Sequence, residues 1–196
     1  MTTNASREHS TPSRETRGSA DERTPRARGP FDDVRAPYAS LMRYKRWADA
    51  DLFETLLARP DIETEPHAEI LREIIGHFHV VDRIFQAHLQ GVSHAFTATR
   101  LQEAPGLTQL QDEVAAVDQW YVDYADSIGR DTLGEERAIR FTDGTEKTFT
   151  VADMLLHVSH HGAYHRGNAG VLLRMMSMEL PADRFIDYVE ALEPRG

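Results

Sequence analysis

The sequence predicts an all-α fold, a four-helix bundle. Three observations predict it. Apolar residues recur at three- and four-residue steps along four long stretches. Proline, glycine and capping residues bound those stretches. Strand-like patterning is confined to one short segment between the third and fourth stretches. At about 1.5 Å per residue the four helices reach roughly 30–40 Å, matched lengths for a bundle.

The first helix is expected from Ala36 to Arg59, stopping before Pro60. Leu41, Ala48, Leu52 and Leu56 form its apolar stripe, which Lys45 interrupts. The second begins near Thr64–Pro66 and ends near Gly91, since proline suits a first turn and glycine the position after a helix. Ile70, Ile74, His77, Val81, Ile84 and His88 follow a four–three pattern that turns His77 inward. The third takes Thr108 as its N-cap, with Gln111 completing a capping box and Gly129 closing the helix. Its stripe is Leu110, Val114, Val117, Tyr121, Tyr124 and Ile128. The fourth opens on Thr150 and Asp153 and carries Met154, Val158, His161, His165 and Leu172 near one face, ending near Met178–Pro181. Before it, Arg137–Thr142 and Lys147–Val151 flank Asp143-Gly144, the pattern of a short β-hairpin or a pair of extended arms. A link of about five residues makes the first two helices antiparallel, whereas the next two links, about 15 and 20 residues, are long enough to cross the bundle and allow parallel neighbours.

Composition narrows the function. The 196 residues are 40% hydrophobic and 28% charged, ordinary for a globular chain. The absence of cysteine excludes disulfides, thiolate metal sites, iron–sulfur clusters and a cysteine nucleophile. Acidic residues outnumber basic ones 32 to 22, which argues against a nucleic-acid surface built on cationic neutralisation. No apolar run reaches the roughly 18 residues of a membrane span, and no signal-peptide stretch is seen, so a cytoplasmic chain is expected. Residues 1–35 hold seven Arg, six acidic residues and little to bury, so they are expected to form a disordered arm beside a domain over 36–196.

Eight of the ten histidines fall in two groups: His77, His79, His88 and His94, then His157, His160, His161 and His165. His161 and His165 are four apart and share a helix face. With His77 from the second helix they would offer three neutral imidazoles to one cation inside the bundle. Such a set keeps the full charge of the ion and leaves a coordination position open, which distinguishes a catalytic from a closed structural site. A water or thiol at that position would be acidified. Zn, Ni, Fe or Mn would each suit it. The simpler reading is that an inward histidine is a hydrogen-bonded core residue, and three together bring the two readings level. His157 reads as a neighbour of the ligands rather than one of them. His79 lies on another side of its helix, His88 is too distant to share an ion with His77, and His160 points outward. Glu73, Asp82 and Asp153 read as surface charges or caps. Tyr44, Tyr121, Tyr124 and Tyr164 read as aromatic core, any of which could serve as a proton donor near an ion. Arg166 would pair with a carboxylate or reach an anionic substrate group.

Three segments resemble the DinB-like (DinB/YfiT-type) superfamily of metal-binding four-helix bundles: Tyr44-Lys45-Arg46-Trp47-Ala48, the run from Gly76 to Ile84, and the run from His157 to Gly167. The sequence departs from the usual pattern at His160 and Asn168. Matched by position, the resemblance implies His77, His161 and His165 as metal ligands, an up-down-down-up bundle over about residues 36–192, and a homodimer. It also implies metal-dependent transfer to or from a low-molecular-weight thiol. On that basis the expected function is a thiol S-transferase acting on a small-molecule electrophile, with Tyr164, Arg166 and His157 as candidate catalytic groups. The alternatives are a non-catalytic, stress-related metal- or ligand-binding protein and a metal-dependent hydrolase.

Overall fold

The computed structural model describes residues 33–192. The expected N-terminal arm lies almost wholly outside the described residues. The elements run α1 (Ala36–Leu57), a 3-10 turn (Ile62–Thr64), α2 (Ala68–Leu89), α3 (Leu107–Ser127), α4 (Arg130–Leu133), β1 (Glu136–Arg140), β2 (Glu146–Thr150), α5 (Val151–Met175) and α6 (Phe185–Leu192). Helices α1, α2, α3 and α5 form the bundle. The small α4 and the C-terminal α6 were not expected, although Phe185, Tyr188, Val189 and Leu192 follow a helical spacing.

Side-chain pairings fix the directions. Arg43 meets Asp126 and Lys45 meets Asp118, so α1 and α3 run antiparallel. His79 approaches Glu113, and Tyr121 donates to the Asp82 carbonyl, so α2 and α3 run parallel. His77 lies beside His161 and His165, while Phe85 lies beside His157, so α2 and α5 are antiparallel. The bundle is therefore up-down-down-up. Helix α1 packs on α3 and α5, and α2 on the same two, which puts α1 and α2 across a diagonal.

Local chemistry sets the ends of the helices. The Thr150 hydroxyl accepts from the Asp153 backbone N–H, and the Asp153 carboxylate accepts from the Thr150 N–H, a complete capping box at the start of α5. The expected Thr108 cap does not form. Helix α3 begins one residue after Gly106, and its Leu107 N–H donates instead to Glu63 Oε1 at 2.6 Å, from the 3-10 turn. A distant carboxylate thus satisfies an orphan amide that local sequence had assigned to a threonine. The hairpin forms in the expected place, with Arg137 opposite Phe149 and Gly144 at positive φ in the turn.

The expected stripe of α2 holds at Val81 and Ile84, which are buried, but not at its start. Leu71, Ile75, Phe78, Phe85 and Leu89 are buried, whereas Ile70 is 48% exposed. His77 therefore sits at the edge of the core, in the groove that α2 makes with α5. The core has two main parts, beside a small third cluster of Tyr44, Ala48 and Tyr188 where α6 meets α1. Val80, Ile84, Tyr121, Leu155 and Val158 belong to the cluster nearer the hairpin. Leu52, Phe53, Ile75, Leu110 and Leu173 belong to the cluster at the other end. Between them lies a layer of buried charge.

Candidate metal centre

Lys45 is 1% exposed, and its ammonium donates to Asp49 and Asp118 at 2.8 and 2.5 Å and pairs with Asp82 at 2.8 Å. Arg166 bridges the other Asp49 oxygen at 2.8 Å and the Asp183 carboxylate at 2.9 and 3.1 Å. The Tyr44 hydroxyl donates to Asp183 at 2.6 Å. Burial would raise the Asp49 carboxyl, but Lys45 and Arg166 outweigh it and hold the group down at about 2. Burial dominates at Asp82, which rises to about 6 against the pull of Lys45. It also lifts Asp118 well above its ordinary range, with Asp49 and Asp82 adding repulsion. Three fully buried carboxylates sharing Lys45, only one of them also reached by Arg166, account for this division. Asp82 is thus a buried ion-pair partner rather than the surface charge or cap that the sequence suggested.

Gly162 allows α5 to close over this layer. A Cβ there would stand 3.1 Å from Arg166 Nη1 and 3.2 Å from Lys45 Cε. Residues 161 and 165 consequently flank the layer on the groove side. His77, His161 and His165 come together there, one ring nitrogen of each lying within 4.8 Å of the others. Nε2 of His161 is 3.2 Å from Nε2 of His165. Ring centroids are 4.6 Å apart for His77 and His165 and 5.2 Å for His77 and His161.

The donor set fits a divalent transition metal. Two nitrogens each about 2.0–2.1 Å from one tetrahedral zinc stand about 3.3 Å apart, close to the His161–His165 separation. His77 Nδ1 donates to the Thr99 carbonyl at 2.9 Å, which leaves Nε2 with its lone pair free for an ion. Gly76 permits that contact, since Leu101 of the same segment would stand 3.3 Å from a Cβ at 76. Burial, then the neighbouring His165, His157 and His77, push His161 down to about 3. Burial and His77 lower His165 as well. These rings are neutral near pH 7, the state in which an imidazole ligates.

The other candidates are placed as follows. His157 stacks on His161, with centroids 5.4 Å apart, and on Phe85 at 4.6 Å. Tyr164 is 67% exposed, outside the core assigned to it by sequence, and its ring meets His165 edge-on at 5.0 Å. Arg166 is buried and fully engaged by Asp49 and Asp183. Glu73 and His160 are exposed, and Asp153 serves the α5 cap. His79 is buried at 3.3 Å from Glu113. His88 and His94 both approach the Arg140 carbonyl, at 3.3 and 3.2 Å, far along the groove. Sequence reasoning missed the charged layer, although Lys45 and Asp49 at i, i+4 on an apolar stripe were a signal for it. Nothing in the sequence pointed to Thr99.

Fold and site together define a four-helix bundle with a three-histidine cluster between α2 and α5. Residues 36–196 match the model of the DinB family, and the chain belongs to that family, whose members are generally metal-binding. No curated protein and no solved structure gives a significant match. Among the described residues no helix is long and apolar enough to cross a membrane.

Proposed function

We propose that this chain is a metal-dependent transferase that joins a low-molecular-weight thiol to a small electrophile in the cytoplasm. The observation that carries the reading is the His77–His161–His165 cluster, built of imidazole nitrogen donors with no carboxylate among them. A Zn, Ni, Fe or Mn ion bound there supplies Lewis-acid activation of a thiol. The thiol loses its proton, sulfur bonds to a carbon of the electrophile, and the bond from that carbon to its leaving group breaks, the electron pair departing with that group. His157 is the candidate proton acceptor, because its ring stacks on His161 at the edge of the cluster, with centroids 5.4 Å apart. Exposed Tyr164 is the candidate donor to the leaving group. Arg166 acts as a positioning residue, since its guanidinium is spent on Asp49 and Asp183. Homodimer formation is part of the reading. Tyr164, Val171 and Met175 support it as an exposed apolar stripe on α5.

The test is reconstitution with each metal, followed by cellular thiols offered with alkyl and aryl electrophiles. Turnover that disappears in His161→Ala, with helicity kept, is the expected result. Metal binding without turnover would favour the non-catalytic binding protein. Turnover of ester or amide substrates without a thiol would favour the hydrolase.

A further inference from the structure

The groove between α2 and α5 continues from the histidine cluster toward the hairpin. His157 links the two regions. Its ring lies nearly parallel to His161 on one side, at 26°, and to Phe85 on the other, at 18°. Beside Phe85 and His157 lies a cavity of about 470 Å³, lined chiefly by Phe85, Phe141, Phe149, Met154, Leu156 and His157. That volume suits a small organic molecule. Phe141 and Phe149 come from the hairpin and meet edge to face at 6.5 Å.

Two of the polar groups at the rim have partners within α5 and its cap. The Asp153 carboxylate is held by Thr150 in the capping box. The ring of His160 uses Nδ1 on the Leu156 carbonyl, at 2.7 Å. What the cavity offers an occupant is therefore mainly aromatic rings and aliphatic surface, with no lysine or arginine among its lining residues and its polar atoms confined to Asp153, His157 and His160. Such a lining favours a neutral, planar, apolar group, which gains area burial and ring-edge contacts and forfeits no hydration of charge.

We propose that this cavity binds the neutral aromatic portion of the electrophilic substrate, with its reactive carbon directed past His157 toward the histidine cluster. The proposal rests on the metal-site reading for its orientation, but the binding itself needs no metal.

The test uses the full chain without metal and N-phenyl-1-naphthylamine as a neutral aromatic probe, followed by fluorescence. The expected result is saturable one-to-one binding with a blue-shifted emission. Leu156→Trp, which fills the cavity from a half-buried position, and Phe149→Ala, which removes a hairpin wall, should each weaken binding about tenfold. Two variants at separate elements guard against a local folding defect, and circular dichroism checks both. A His77→Ala chain should bind the probe as well as the unaltered chain. No saturable binding, or an affinity unchanged in both cavity variants, overturns the proposal. Zinc titration of the same variants separates the two ideas: a failed metal site alters the zinc titration alone, a failed cavity the fluorescence alone.

Discussion

Nε2 of His161 faces Nε2 of His165 across 3.2 Å, one helical turn apart on α5, and both rings turn toward His77 on α2. The separation is what an i, i+4 pair gives when both side chains lean to the same side of a helix. Each of His77→Ala, His161→Ala and His165→Ala should weaken zinc affinity by at least about 10–100-fold, whereas exposed His160→Ala should leave it unchanged. Calorimetric titration checks this, and equal losses in all four variants would contradict the assignment of faces.

The charged layer makes Lys45 the most sensitive single position for stability. Lys45→Met leaves Asp49, Asp82 and Asp118 buried without their shared cation, and should cost about 3–5 kcal/mol. Asp82→Asn should cost distinctly less, because carboxylates outnumber cations there and burial already raises Asp82 to about 6. Urea denaturation at pH 7 measures both. A Lys45→Met chain as stable as the parent would show that the layer is not paired as described.

His79 gives the fold an acid sensitivity of known sign. Burial, partly offset by Glu113, lowers its pKa to about 4, against an ordinary value of about 6.5 in the unfolded chain. Above pH 6.5 both states hold it neutral. As pH falls from 6.5 to 4 the unfolded state takes up the proton first, so stability declines, by about 3 kcal/mol at pH 4. His79→Leu should remove that share of the decline. Denaturation curves at pH 7 and pH 4.5 for parent and variant would show it, and equal declines would refute it.

The start of α5 depends on its cap. Thr150→Ala removes the hydroxyl that accepts from Asp153 N–H and should cost about 0.5–2 kcal/mol. Hydrogen exchange should quicken first in the opening turn of α5, near Val151–Met154. A variant with parental stability and exchange would mean that the cap adds nothing.

Much of this was legible in the sequence because the signals were local. The α5 capping box, the Asp143-Gly144 hairpin and the His161–His165 pair each lie within a few residues of chain. What failed depended on partners far away. The N-cap of α3 is served by Glu63, more than forty residues upstream, so Thr108 was a reasonable but wrong choice. The face of α2 was read correctly at Val81 and Ile84 but not at its start, where Ile70 is exposed and Leu71 and Ile75 are buried instead. Tyr164 looked like core because an aromatic ring on a helix usually is. Here it is exposed, with its ring edge-on to His165.

The most direct measurement is X-ray absorption at the metal edge of the zinc-loaded chain. The account predicts three imidazole nitrogens at about 2.0–2.1 Å, falling to two in His161→Ala. A first shell with one imidazole or none, or a shell unaltered by that substitution, would contradict it.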